Sequence, residues 1–171
     1  DLTKRHPEFL KECLNKANKK PLFTFLHFTK IHTITVSEIL KKYEWNDERF
    51  YNNKHDNLLN YDISFKEAGN YAKIIHKTIK DLGIEENTIV IFFSDHGTGI
   101  GERFGERNYG SFTYEETIRS FYFFIGKNII KNRVNNKLRE SIDILPTIFE
   151  LIGIESNELP GESVAQFLVN E

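Results

Sequence analysis

The stretch NTIVIFFSDHGTGIGERFGE, residues 87–106, decides the fold class of this 171-residue chain. Its first part, NTIVIFF, is dense in β-branched and aromatic side chains, which is typical of a strand in the middle of a parallel sheet covered by helices. The strand pattern stops at Ser94, and Asp95, His96 and Gly97 follow. In open α/β sheets, ligands bind beyond the carboxyl ends of the strands. The stretch therefore predicts a mainly parallel sheet with a functional edge at Asp95 and His96.

Helical and strand patterns alternate on either side of this stretch. Apolar residues at helical spacing predict a long amphipathic helix over 64–82. A second buried strand is expected over 119–126, and the segment 141–154 predicts a helix that Gly153 ends. This alternation, without any repeat, predicts an α/β class with a mainly parallel sheet flanked by helices, in a single unit over residues 1–171.

The N-terminal third and the C-terminus complete the pattern. Pro7 at a first helical position predicts a surface helix near the N-terminus. The run LFTFLHF, residues 22–28, predicts a strand buried on both faces. Residues 43–61 are polar and lack periodicity, so an irregular surface loop is expected there. A last short helix is expected over 163–169.

The composition limits the classes of function. Hydrophobic residues make up 39% of the chain, enough for a real core. Lys and Arg number 23 against 25 Asp and Glu, so no global charge favours nucleic acid or an anionic membrane as a partner. No window approaches the roughly 18 apolar residues of a membrane span, so no transmembrane segment is expected in this chain. The single cysteine, Cys13, excludes an intramolecular disulfide, and the compartment stays open.

An acid and an imidazole delivered together at a strand end suit a divalent cation. Neighbouring side chains of a strand point to opposite faces, so Asp95 and His96 can share a target only if the extended conformation breaks there, which Gly97 favours. The carboxylate supplies charge and the neutral imidazole a further ligand. A second interpretation is a simple turn, in which Asp95 caps a following helix and His96 is solvated. These residues alone do not decide between the two.

Taken together, several segments resemble the sulfatase family of the alkaline phosphatase superfamily. Their order and spacing agree with the family from about residue 19 to the end of the chain. The segments are KPLFTFLHFTKIHT (20–33), NTIVIFFSDHGTGIGERFGE (87–106), YEETIRS (114–120), SIDILPTIFELIGI (141–154) and LPGESVAQFL (159–168).

The resemblance implies an alkaline-phosphatase-like fold that is incomplete in this chain. In the family, an N-terminal half carries two acidic metal ligands and the nucleophile, which is a Cys or Ser converted to formylglycine, or a Ser or Thr in phosphotransferase relatives. This chain contains no Cys/Ser-x-Pro-x-Arg motif. It is therefore expected to be the C-terminal part of a catalytic domain, to have the N-terminal half of the same domain as its partner, and to be inactive alone.

The resemblance also implies roles for particular residues. Asp95 and His96 match metal ligands of the family, and one divalent metal is implied. Calcium is usual in relatives with Asn at the second position, whereas His favours magnesium, manganese or zinc. His32 matches the histidine after the first strand, which contacts the sulfate or protonates the leaving oxygen. The alternative for His32 is a surface loop histidine, since Ile34 and Thr35 replace the proline and tyrosine of the family pattern.

Two cations are candidates for binding the anionic ester. Lys30 and Arg107 could contact the substrate, although a solvated lysine and an exposed arginine are the ordinary alternatives. Many family members carry a lysine or histidine just before the tyrosine-glutamate segment, where this chain has Tyr109 and Gly110. This departure leaves phosphate as well as sulfate esters open as substrates.

The sequence thus predicts a metal-dependent sulfuric ester hydrolase, with the nucleophile outside this chain. One alternative is a phosphoryl or phosphonate ester hydrolase, or a phosphoethanolamine-type transferase, on the same scaffold. Another is a non-catalytic module that binds anions or glycans. Glu102 and Glu106 are expected to be solvated, and Asp143 is expected to cap a helix.

Overall fold

The computed structural model describes residues 1–34, 43–44, 46–109, 112–155 and 158–169. Within these ranges, none of the helices is long and apolar enough to cross a membrane. The α-helices and strands are α1 (Leu2–Ala17), α2 (Lys30–Ile34), α3 (Glu48–Asn52), α4 (Lys54–Asp81), β1 (Val90–Phe93), α5 (Glu115–Ile118), β2 (Tyr122–Ile125), α6 (Ile144–Leu151) and α7 (Ala165–Val169).

The chain groups into two compact units. The first contains Asp1–Ile84 and Gly97–Ile118, and the second contains Glu85–His96 and Arg119–Glu171. The single unit over residues 1–171 stays a prediction.

Helix α4 is the centre of the first unit, with α1 and α2 packed on it. Tyr71 of α4 is buried, stacks on Phe28 at 4.4 Å, and has its hydroxyl 2.5 Å from Nδ1 of His6 in α1. Burial raises the pKa of Tyr71 to about 12. Burial, aided by Arg5, lowers the pKa of His6, so this imidazole is suited to accept from the neutral phenol.

The predicted helices of the first unit begin earlier than expected. The carboxylate of Asp1 accepts a hydrogen bond from Thr3 N–H at 3.0 Å and so caps α1 well before Pro7. Helix α4 begins at Lys54, so the expected irregular loop over 43–61 is wrong for much of its length. The physical reason is that a polar residue there is buried: the Asn57 amide donates to the carbonyls of Phe50 and Ile100, each at 2.8 Å.

The strand predicted over residues 22–28 is not found. These residues have no regular secondary structure, and Phe23 and Phe25 are 78% and 62% exposed. A strand exists only through hydrogen bonds to a neighbouring strand, and the described residues offer this segment none. The expectation of burial on both faces is therefore wrong for this structure.

The two strands of the second unit form an antiparallel pair. Val90 lies opposite Ile125 and Phe93 opposite Tyr122, and Phe92 stacks on Phe123 at 5.0 Å. The strands predicted in this unit, at NTIVIFF and over 119–126, are confirmed. A mainly parallel sheet is not confirmed, because the described residues contain only this antiparallel pair. Apolar composition indicates that a strand is buried but does not fix its direction.

The segments 141–154 and 159–168 lock together in the second unit. Asp143 is buried, and its carboxylate accepts from Glu140 N–H at 3.1 Å and from Glu162 N–H at 2.8 Å. The fully buried Thr147 hydroxyl donates to the Asp143 carbonyl at 2.6 Å and accepts from Val164 N–H at 3.0 Å. Asp143 therefore takes part in a capping box with Glu140 on the helical turn Ser141–Asp143, but its side chain does not cap α6, and the same carboxylate also anchors the turn before α7.

Candidate functional site

Asp95 and His96 lie where the extended conformation of β1 has ended. Ser94 N–H still donates to the Phe121 carbonyl at 3.0 Å, and the next residues leave the sheet. One Asp95 oxygen accepts from His96 N–H at 3.0 Å, and the other lies 3.7 Å from Nε2 of His96. The Asp95 side chain is 81% exposed and that of His96 37%. The two side chains therefore converge at an accessible place, and no helix that Asp95 would cap begins within the described residues 97–109.

The donors at this place fit part of a metal site. A carboxylate oxygen and an imidazole nitrogen are ligands for magnesium, manganese or zinc, and the carboxylate also suits calcium. Among the described residues, no group of three or more His, Cys, Asp or Glu side chains could hold an ion. Asp95 and His96 thus need further ligands to complete a site.

His32 lies in the first unit, on α2. It is exposed, and its ring centroid is 5.9 Å from that of Tyr109 with a tilt of 49°. Two residues earlier, the Lys30 ammonium forms an ion pair with Glu67 of α4 at 2.5 Å. The structure therefore brings His32 next to Tyr109, the residue at which this sequence departs from the family pattern, while Gly110 lies outside the described residues.

A hydrogen-bonded clasp fixes the position of Tyr109. The backbones of Gly99 and Asn108 form an antiparallel bridge, with N···O distances of 2.5 and 2.9 Å. The Thr98 hydroxyl donates to the Asn108 side chain at 3.0 Å. Asn108 has a φ of 68°, a left-handed conformation that Asn tolerates better than most residues. The clasp closes the loop that follows the Asp-His-Gly segment, and the next residue, Tyr109, has its ring beside that of His32.

Arg107 is buried rather than exposed. It is 8% exposed, and its Nη1 donates to the carbonyls of Tyr43 and Glu44, each at 2.7 Å. Its guanidinium also lies over the Phe50 ring at 5.7 Å. These contacts tie the loop to the segment before α3, and the substrate-binding role of Arg107 stays a prediction.

Glu106 is the residue whose environment the sequence misses. The expectation of a solvated acid is confirmed for the exposed Glu102, but Glu106 is 1% exposed. Within the described residues, neither carboxylate oxygen of Glu106 accepts a hydrogen bond of good geometry. Burial, followed by the charge of Glu116, raises the pKa of Glu106 above its ordinary value, although the Phe112 N–H is near enough to offset part of this rise. No feature of the sequence signals this burial, because the neighbouring residues are glycine and charged side chains.

Glu106→Gln is expected to stabilise the protein at neutral pH and not at low pH. A raised pKa means that the folded state holds the proton more tightly, so the contribution of Glu106 to stability is complete below about 4.5 and is lost as pH rises through the folded-state pKa. Glutamine mimics the protonated side chain and removes this loss. The measurement is the thermal midpoint from pH 4 to 8, with Glu102→Gln at an exposed site as the control. A midpoint difference that does not grow with pH contradicts the assignment.

A family model described as Sulfatase matches residues 1–154. The chain belongs to the sulfatase family.

Individual sulfatase-family relatives agree with this assignment. The chain is 29% identical over 177 aligned positions to an endo-4-O-sulfatase of Bacteroides thetaiotaomicron, covering 91% of this chain and 34% of that protein. It is 30% identical over 118 positions to the low-salt glycan biosynthesis sulfotransferase Agl7 of Haloferax volcanii, covering 66% of this chain and 29% of that protein. The chain thus spans about a third of the length of these curated relatives.

The fold agrees with the family as well. The structure of a 2-O GAG sulfatase superposes with a TM-score of 0.62 at 22% identity, covering 89% of this chain and 36% of that chain. The chain therefore has the sulfatase-family fold, although its described residues contain only a small antiparallel sheet.

Proposed function

We propose that this chain is part of a metal-dependent sulfuric ester hydrolase whose nucleophile lies outside residues 1–171. The observation that carries the proposal is the sulfatase-family match over residues 1–154. A further support is the pair of accessible donors, Asp95 and His96, at the end of β1. A carboxylate and an imidazole at a strand end are donors for the kind of metal ion that assists ester hydrolysis.

Asp95 and His96 would hold one divalent metal, calcium or else magnesium, manganese or zinc. When bound, such an ion neutralises charge on the ester oxygens and lowers the pKa of a nucleophile. His32 would donate a proton to the leaving oxygen, since histidine is the side chain most often used in general acid–base catalysis. Lys30 and Arg107 are proposed substrate contacts, and both would have to exchange their present partners, Glu67 and the Tyr43 and Glu44 carbonyls, for the ester.

We also infer that the N-terminal half of the same domain packs on this chain. In the segment 22–28, where the sequence predicts a strand, Phe23 and Phe25 are 78% and 62% exposed. On the antiparallel pair, Phe93 and Phe123 are 43% and 45% exposed. Exposed aromatic side chains on extended segments favour burial by further strands, and a larger, mainly parallel sheet would supply them.

A phosphoryl or phosphonate ester is the alternative substrate. Tyr109 stands next to His32, where the family often has a cation that contacts sulfate. A changed anion pocket fits a phosphodiester or a phosphoethanolamine-type transfer as well. A non-catalytic anion or glycan-binding module is the third alternative, and the absence of turnover on both ester types would favour it.

The full-length polypeptide is expected to hydrolyse 4-nitrophenyl sulfate at least about a hundredfold more efficiently than 4-nitrophenyl phosphate, because the two esters differ in charge at the transferring group. Within the active protein, His32→Ala is expected to lower kcat by about a hundredfold, as removal of a general acid does. His55→Ala changes an exposed histidine of α4 and serves as the matched control. A preference for phosphate would replace the proposal by the alternative, and an unchanged kcat in His32→Ala would remove His32 from the mechanism.

A further inference from the structure

The surroundings of His32 contain an aromatic ring. Tyr109 is 37% exposed and tilts against the exposed imidazole at a centroid distance of 5.9 Å. A tyrosine offers a flat apolar face and one hydroxyl, whereas lysine or histidine offers a charge. The chemistry beside His32 is therefore that of a ring surface with a polar edge.

The ring is held in place from both sides. The Gly99–Asn108 bridge and the Thr98 hydroxyl fix the residue before Tyr109. The α2 helix that carries His32 packs on α4. Because a backbone bridge, a part-buried side-chain hydrogen bond and helix packing support the two rings, the pair presents a pre-organised surface, which lowers the entropic cost of binding.

The nearby candidate cations are engaged elsewhere. Lys30 is paired with Glu67, and Arg107 donates to the carbonyls of Tyr43 and Glu44. What Tyr109 adds beside the proposed general acid is contact with the ring of a substrate, whereas the proposed contacts of Lys30 and Arg107 to the ester group require both cations to exchange their present partners.

We propose that Tyr109 is a specificity-determining residue that packs against the sugar or aryl ring bearing the ester, next to the leaving oxygen that His32 protonates. This inference rests on the proposed function of His32. The C–H face of a sugar ring and the face of an aryl ring are both apolar and flat, so either buries surface against the tyrosine. An open-chain ester of the same charge lacks that surface.

The test compares ring and open-chain ligands of equal charge on the full-length protein. Tyr109→Ala is expected to raise KM for N-acetylglucosamine 6-sulfate about tenfold with kcat within about threefold of wild type, the size typical of one aromatic contact. The inhibition constant of ethyl sulfate, which has no ring, is expected to stay within about twofold. Tyr109→Phe retains the ring and should behave as wild type. Phe104→Ala removes a 69% exposed aromatic residue of the same loop and is the control.

Either of two kinetic results overturns the proposal. If Tyr109→Ala weakens the ring ligand and ethyl sulfate equally, or lowers kcat without raising KM, Tyr109 only positions His32 or supports the loop. If wild type turns over no ester, the proposed function fails, and the ring contact is then judged from dissociation constants measured by ligand-observed NMR. A preference for the ring ligand that Tyr109→Ala abolishes supports the contact in that case, and the lack of such a preference refutes it.

Discussion

Asp95→Ala in the full-length protein is expected to lower kcat/KM for a sulfate ester by about a thousandfold or more, since it removes a charged donor of the proposed metal site. The carboxylate is 81% exposed, and within the part of the chain that the structure describes it accepts a hydrogen bond from the adjacent His96 N–H. Its loss therefore costs the fold little, and an effect of this size on activity would have to arise from the bound ion.

The controls separate a metal role from a general effect of charge. Asp81→Ala removes an exposed carboxylate that is paired with Lys77 at the end of α4, and activity should stay at the wild-type level. Metal content, measured by mass spectrometry on the purified proteins, should fall in Asp95→Ala and His96→Ala and not in Asp81→Ala. Equal metal content and equal activity in Asp95→Ala and wild type would refute the assignment of both ligands.

Gly161→Ala is expected to destabilise the second unit by about 3–5 kcal/mol, at the upper end of single substitutions. Gly161 has a φ of 96°, and an added Cβ would lie 2.5 Å from the Ile142 carbonyl oxygen and 3.1 Å from Asp143 N. Nonbonded carbon atoms pack best at about 3.5–4.0 Å, and a Cβ at 2.5 Å from a carbonyl oxygen is a steric clash, so the backbone must move. The movement would break the bond from Glu162 N–H to the buried Asp143 carboxylate.

Substitutions at two other glycines separate the steric clash at Gly161 from the other effects of replacing glycine by alanine. Gly153 has a φ of 75° but no atom within 4 Å of an added Cβ, so Gly153→Ala should cost only the left-handed strain of about 1–2 kcal/mol. Gly69 lies in α4 with open space around it, and Gly69→Ala should stabilise by about 0.5–1 kcal/mol. Denaturation midpoints, together with hydrogen exchange of the Glu162 and Val164 amides, measure the three variants. Similar costs for Gly161→Ala and Gly153→Ala would contradict the close approach.

The parts predicted best are those in which local chemistry and tertiary context agree. The apolar run of β1 and the helix that ends at Gly153 were predictable because their burial and stop signals lie within the segment itself. Asp143 was predictable as a capping residue of a helical turn for the same reason. The start of α4 was not, because the burial of Asn57 depends on carbonyls of Phe50 and Ile100 that lie outside its helix.

The candidate site divides in the same way. The sequence alone identified Asp95, His96 and His32, since their residue types and family-like surroundings are local features, and their roles stay predictions. The sequence could not show that Arg107 donates to the carbonyls of Tyr43 and Glu44, which lie 64 and 63 positions earlier in the chain. It could not show either that Glu106 is buried, because burial is set by what packs over a residue.

The sequence by itself thus determined the family, the strand-end acid and imidazole, and the segments that form α6 and the capped turn before it. These features arise from the order of residues along the chain, through side-chain pattern, turn chemistry and capping. Only the tertiary structure decided that β1 and β2 pair antiparallel and that the clasp at Asn108 brings Tyr109 against His32. These are contacts between distant segments, and their geometry depends on hydrogen bonds and packing that no local pattern specifies.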